Sequence, residues 1–442
     1  MEVRLGYKQT EVGIIPVDWE VSKLGDLIDY TKGFPFKSSE YRSTGTRVVR
    51  VSDTTYDSIK NEDPIFVSEK RLSQYSNWKL KEHDLVLSTV GSKPPMYDSM
   101  VGKVILIGKP HENSLLNQNA VLMRDKKHRA HVQRLLLNHL RTKRYLTHIG
   151  SIYRGNANQA SITLQELFQF CIPLPSDESE QRAIAEALSN MDALLGALDR
   201  IIAKKRDLKQ AAMQQLITGQ TRLPGFHGEW EVKALGDLFT FSGGYSAARD
   251  QLSTEGHCYL HYGDIHGSTK TSVDARADYQ DIPKLDIPLK RVSSSSLLKD
   301  GDVVFVGSSE DDEGTSRHVV VVNKDDVPFI SGMGTIVAKS KTDELAHEYR
   351  QYCFQTAAMR QQFLFYAVGT KVSGIRKTDI PKLTLPVPSV PEQTAIAAFL
   401  TDMDAELALL EQQLAKTRAL KQGMMQELLT GRSRLVVAEV AA

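Results

Sequence analysis

Two groups of side chains in the first third of the chain have the make-up of a base-reading surface. Ser88, Thr89, Ser92, Lys93 and Tyr97 surround Gly91, and Arg154, Asn156, Asn158 and Gln159 crowd the segment YRGNANQ. Asn and Gln can pair with the adenine edge and Arg with the guanine edge in a major groove, so amides and arginines beside glycine suit hydrogen bonding to base edges. Further along, Ser308, Ser309 and Arg317, then Lys371, Ser373 and Arg376, stand in the corresponding places. Lys37 and Arg50 complete the candidate DNA contacts. A single polar loop residue more often satisfies its own turn than meets a ligand. As sets the loops weigh more, because binding residues concentrate on loops held by rigid scaffolds. The run from Glu310 to Glu313 repels phosphate and reads as a solvated loop, although a carboxylate can accept from cytosine N4.

Catalysis finds less support. Lys93-Pro94-Pro95-Met96-Tyr97 has the prolines of a methyltransferase base-flipping motif but neither its leading amide nor its adjacent aromatic. Pro110, Glu112, Asp125 and Lys127 only loosely resemble a nuclease spacing, and the 12 histidines show no HxxxH or HExxH arrangement. Cys171, Cys258 and Cys353 lack CxxC spacing, which predicts reduced, buried thiols rather than a disulfide framework or a zinc site.

The loops need a frame, and the frame is duplicated. Residues 180–223 and 392–435 align without a gap and share roughly 24 of about 44 residues, so an internal repeat constrains the fold first. In the first copy Ile184, Leu188, Met191, Leu195, Leu198 and Ile202 step by four and three; Ile396, Leu400, Met403, Leu407, Leu410 and Leu414 repeat the pattern. Such heptad seams predict two long helices that pack on each other as a coiled coil. Beyond them the apolar residues Leu208 and Leu420 predict two successive three-residue steps, a stammer, in each copy. Ser176 and Ser389 are expected caps, and Thr218-Gly219 and Thr430-Gly431 expected stops. Lys204, Lys205, Arg206 and Lys209, with Lys416, Arg418 and Lys421, are expected on solvated faces, docking of a partner being the alternative.

Between the copies, residues 31–176 and 241–389 barely resemble each other. Short apolar runs at 46–51, 84–88, 103–107, 302–306, 318–322 and 334–338 read as strands, and 132–148 and 344–364 as helices. Each insert is therefore expected to be an α+β globule of ordinary domain size. The lead-ins beginning Trp19-Glu20-Val21 and Trp230-Glu231-Val232 extend the duplication to the start of each insert. The expected divisions are 1–176, 177–219, 220–389, 390–431 and 432–442. At 442 residues and net charge +1, the chain is too long for one core and too neutral to coat a polyanion unaided. No run of secretory or membrane-spanning character stands out, which predicts a cytoplasmic protein.

The Pro-Leu-Pro and Pro-Val-Pro lead-ins to Glu-Gln, the paired helices ending in Leu-x-Thr-Gly, the two Trp-Glu-Val-x-x-Leu-Gly-Asp-Leu segments and the opening YKQTEVGIIPVDWE together resemble the specificity (S) subunit of type I restriction-modification systems. The resemblance covers essentially the whole length and implies two target recognition domains separated by an antiparallel coiled coil, with a pseudo-twofold internal repeat. It further implies that each domain reads one half of an interrupted site on double-stranded DNA, that the coiled coil sets the gap, and that two methyltransferase (M) subunits and motor-nuclease (R) subunits are partners. S-adenosylmethionine would then belong to the M subunits and no cofactor or metal to this chain. The competing expectation is a coiled-coil scaffold whose inserts bind proteins.

Overall fold

A computed structural model describes residues 4–94, 96–156, 159–268, 270–309, 314–368 and 373–435. The chain divides into two compact units: Met1–Asp199 with Gln412–Ala442, and Arg200–Glu411. These divisions fall inside the two long helices, Glu178–Ile217 and Val390–Leu428, rather than at their ends. The physical reason is that each half-helix packs with its own globule. In the first unit Ile184 and Leu188 share a core with Leu428 and with Trp19, Leu136 and Tyr145. In the second, Ile396 and Leu400 share one with Met213, Leu216, Phe239 and Phe305.

Although the inserts differ in sequence, their sheets have the same order. In the first unit Ile28–Lys32, Ala120–Asp125, Leu85–Ser88 and Val104–Leu106 lie side by side, all antiparallel. In the second, Phe239–Gly243, Thr335–Ser340, Val303–Val306 and His318–Val322 repeat that order, with Ser272–Asp274 added at the edge. The central strands, LVLS and VVFV, are buried along their whole length, so any β-branched or aliphatic residue of fitting volume serves and identity drifts while pattern stays. A smaller sheet follows in each unit: Thr46–Val49 with Leu115–Leu116 and Ile65–Val67, and His257–Leu260 with Phe329–Ser331 and Lys284–Leu285.

The late helical stretches are each broken once. Ala130–His139 is followed by Lys143–Ile152, and His347–Cys353 by Ala357–Tyr366. The Thr142 and Thr356 hydroxyls accept from the Tyr145 and Met359 amides, so each break is a new capped N-terminus that periodicity alone does not reveal.

Within each unit the long helices pair antiparallel. Lys421 bonds Asp192 at 2.5 Å and Arg418 bonds Asp199 at 3.2 Å in the first unit; Lys205 bonds Glu406, Arg206 bonds Glu411 and Lys209 bonds Asp404 in the second. Five of the seven basic residues expected to be solvated thus bridge the pair, while Lys204 and Lys416 are exposed as expected. All twelve expected seam residues are buried or half-buried. The stammer is absent. Leu208 and Leu420 are 49% and 58% exposed, while Thr417 and Lys421 are buried and Lys205 and Lys209 half-buried. The seam runs 202, 205, 209, 212, 216 and 414, 417, 421, 424, 428, an unbroken heptad in which lysine stems cover apolar neighbours and their ammoniums reach carboxylates.

The first helix start differs from expectation: the Ser176 hydroxyl donates to the Asp18 carbonyl, and the Asp177 carboxylate instead accepts from the Ser179 amide at 2.9 Å. Ser389 stands directly before the second helix, its carbonyl accepting from the Gln393 amide at 2.9 Å. The stops hold: Gly219 and Gly431 adopt φ of 73° and 68°, the left-handed conformation that favours glycine.

Each unit is closed by the same three residues. Glu180, 1% exposed, takes the Arg434 guanidinium at 2.6 and 2.8 Å and the Trp19 indole at 3.3 Å. Glu392, also 1% exposed, takes Arg222 at 2.5 and 2.6 Å and the Trp230 indole at 3.1 Å. The segment near the chain's end and the one near its beginning therefore do in the first unit what a continuous linker does in the second. Arg434→Met should leave the Glu180 carboxylate buried without its cation and cost about 3 kcal/mol in chemical denaturation; a change under about 0.5 kcal/mol would refute the assigned closure.

Buried imidazoles add an acid limit. Burial pushes His318 down to about 4, among Phe305, Phe354 and the Arg350 carbonyl, and His139 down to about 3. The unfolded chain takes up these protons near 6.5 and the folded one does not, so stability is lost as pH falls from about 6.5 towards 4. His318→Gln should flatten that loss by roughly 2–3 kcal/mol at the acid end, read from unfolding curves across pH.

Candidate nucleic-acid interface

Six of the residues singled out as base-reading lie on a third, small sheet of their unit: Arg154, Asn156 and Gln159 in the first, Ser308, Ser309 and Ser373 in the second. In the first, Val90–Gly91, Gln159–Ser161 and Arg154–Asn156 pair antiparallel, with Ala160 opposite Gly91 and Asn156 opposite Gln159. In the second, Ser308–Ser309, Ser373–Ile375 and Ala367–Val368 pair the same way, with Ser308 opposite Gly374. Loops some 65 residues apart in sequence are thus brought edge to edge twice.

Within that arrangement the candidates divide. Arg154, Asn156 and Gln159 are exposed on the first sheet, and Arg154 leans on Glu166 at 2.9 Å in solvent. Lys93 and Tyr97 are exposed on the adjoining turn, where the Tyr97 ring meets Tyr56 edge-on at 5.5 Å. Arg376 is exposed just beyond the second sheet, and Lys37 is exposed at a short 3₁₀ turn. These are available to a ligand.

Others are occupied. Ser88 is 2% and Ser92 9% exposed, Ser92 accepting from the Ser99 hydroxyl at 2.9 Å; both are taken up by the core, so neither can meet a base edge. The half-buried Thr89 hydroxyl donates to the Asn119 carbonyl at 2.9 Å. Arg50 grips the buried Asp53 carboxylate at 2.6 Å and the Asp63 carbonyl at 3.0 Å, a brace rather than a free cation. Arg317, half-buried, donates to the His266 and Ser268 carbonyls at 2.5 and 3.1 Å. Asn158, Lys371 and the acidic run 310–313 lie outside the described residues, and for Ser308, Ser309 and Ser373 only the backbone is described.

Sequence reasoning missed Arg141, whose guanidinium lies 4.7 Å over the Tyr56 ring and bonds the Tyr56 carbonyl at 2.8 Å. It sits beside Lys143 and Arg144 in a cleft of the first unit that Tyr97, Met425 and Arg432 also line. No spacing signal marks it, because its neighbours come from distant segments.

Asp125, one of the nuclease-like residues, is 1% exposed and spent on Arg129 at 2.9 Å and on the Lys127 and Arg129 amides. Among the described residues, no group of three or more His, Cys, Asp or Glu could hold a metal ion. The three cysteines are free, Cys171 half-buried rather than buried. No helix of the described residues is long and apolar enough to cross a membrane.

Residues 16–204 and 227–417 each match the type I restriction modification DNA specificity domain. The chain belongs to that family. A protein of Methanocaldococcus jannaschii described as a type I restriction enzyme MjaX specificity subunit is 26% identical, with 97% of each chain covered. The MjaVIII specificity subunit of the same organism is 28% identical over 49% of each chain. Among solved structures, the type I restriction-modification S subunit from M. genitalium superposes with a TM-score of 0.57 at 14% identity, covering 97% of this chain and 98% of that one. A chain from a study of type I R-M complex assembly and conformational transition gives 0.54 at 16% identity, covering 95% and 99%. These two likenesses extend over nearly the whole fold of this family member.

If the exposed residues read bases, Gln159→Ala should weaken discrimination at one half-site by about 5- to 100-fold and Arg376→Ala at the other, measured by competition binding with single-base variants. Loss that is equal for every sequence would place them on phosphate instead.

Proposed function

We propose that this chain is the non-catalytic DNA-reading subunit of a type I restriction-modification complex. Each unit takes one half of a bipartite duplex site through its small sheet and the turns beside it. The observation that carries the reading is a duplicated specificity domain in which frame and closure are the same and the exposed loop side chains differ. Asn156 and Gln159 in one unit, and Arg376 in the other, present different hydrogen-bonding patterns, which suits two unlike half-sites.

Phosphate contacts fix register and base contacts specify. With net charge +1, this chain offers little of the cationic surface that nonspecific affinity needs. Partner subunits supply the rest in this reading: two methyltransferase (M) subunits that hold S-adenosylmethionine and methylate adenine, and motor-nuclease (R) subunits. The two long helices, 40 and 39 residues, each run from one unit into the other and act as the spacer.

Removing one heptad from both helices, near Leu198 and Leu410, shortens each by roughly 10.5 Å, about three base pairs. Mapping of methylated adenines by the assembled complex should then show both half-sites unchanged and the gap altered. An unchanged gap refutes the spacer role. A complex that protects no discrete bipartite sequence would favour the protein-binding scaffold instead.

A further inference from the structure

One cation, buried in the first unit and half-buried in the second, occupies the same place in both and has no part in the reading so far. Strand register establishes the equivalence. Leu85–Ser88 pairs with Val104–Leu106 so that Ser88 stands opposite Lys103, its amide donating to the Lys103 carbonyl at 3.0 Å. Val303–Val306 pairs with His318–Val322 so that Val306 stands opposite Arg317, its amide donating to the Arg317 carbonyl at 2.9 Å. Two residues after Ser88 and Val306 the small sheets begin, at Val90 and Ser308.

Both cations reach back to one crossover turn. That turn is built alike in the two units: the Asp53 carboxylate accepts from the Arg50 amide at 2.9 Å, and the Asp264 carboxylate from the His261 amide at 3.0 Å. Lys103, 3% exposed, donates to the Thr54 carbonyl just past Asp53 and to the Asp98 carbonyl. Arg317 donates to the His266 and Ser268 carbonyls just past Asp264. In the first unit the link continues, because the Asp98 carboxylate accepts from the Tyr56 amide at 3.0 Å and Tyr56 abuts Tyr97.

A buried ammonium satisfied mainly by carbonyls is expensive, since desolvation is not repaid by a direct ion pair. Burial moves the Lys103 amine down to about 8, with Asp98 opposing and Lys60 adding to that fall. A methionine-like side chain would fill the same space without that cost. What the cation provides and an apolar residue cannot is a set of directed donors to the main chain of the crossover turn.

We propose that Lys103 and Arg317 are paired positioning residues, each fastening the crossover turn to the frame that carries its unit's base-reading sheet, and so each setting the specificity of one half-site. This rests on the DNA-reading assignment above. Neither side chain contacts DNA in this account; Arg317, expected from sequence to meet a base, acts through the backbone it holds.

The test uses full-length chain assembled with its methyltransferase subunits and a pool of duplexes randomised at both half-sites. Lys103→Met should reduce discrimination at the first half-site at least tenfold and leave the second unchanged; Arg317→Met should do the reverse. Lys103→Arg and Arg317→Lys, which retain donors, should restore most of it. Hydrogen exchange supplies a readout independent of DNA: amides of 54–59 and 96–99 should exchange faster in Lys103→Met, with those of 120–125 unchanged. Equal loss at both half-sites, rescue by neither conservative variant, or unaltered exchange overturns the assignment. If the wild-type complex selects no bipartite site while exchange changes as expected, the DNA reading fails and the pin survives only as a structural brace, which also sinks the specificity claim.

Discussion

Two buried carboxylates hold the molecule's plan together. Glu180 and Glu392 lie at the starts of the long helices, nearly inaccessible to water, and each is neutralised by an arginine fork and an indole N–H drawn from segments far away in sequence. An ionised carboxylate in such a place is tolerable only with every partner present. The requirement is therefore conjunctive: helix start, tryptophan lead-in and the segment after the other helix's end must all arrive together. Local cores grow from that point, one around Trp19, Ile184 and Leu188, the other around Met213, Ile396 and Leu400.

Much of this was legible in the sequence because duplication writes a constraint twice. Trp19 and Trp230, Glu180 and Glu392, Arg222 and Arg434 all fall in repeated segments, and both seams were readable from four-three spacing. What spacing does not show is who meets whom. The tryptophans read as a lead-in, the glutamates as helix-start acids and the arginines as tail residues, with no hint that they form one cluster. The stammer failed for a related reason: counting apolar letters favoured Leu208 and Leu420, whereas the lysines beside them bury their stems and pair across the seam.

The candidate surface was half legible. Composition picked out turns that strand register pairs into one small sheet per unit. It could not separate an exposed Gln159 from a buried Ser88, because a serine in a turn and a serine ending a central strand have the same letter. Arg317 makes the same point for charge. An arginine flanked by a turn suggests a ligand, and here the ligand is the protein's own main chain.

The polar positions in the helix seam have a meaning beyond holding two rods together. Leucines alone would let antiparallel partners slide by seven residues at modest cost, since one aliphatic layer packs much like the next. Lys209 with Asp404, and Lys421 with Asp192, pair in the observed alignment. A slide of seven residues one way would set the same lysines against Ala397 and Ala185, whereas the other way would offer them Glu411 and Asp199. The polar seam therefore resists slippage in one direction more than in the other.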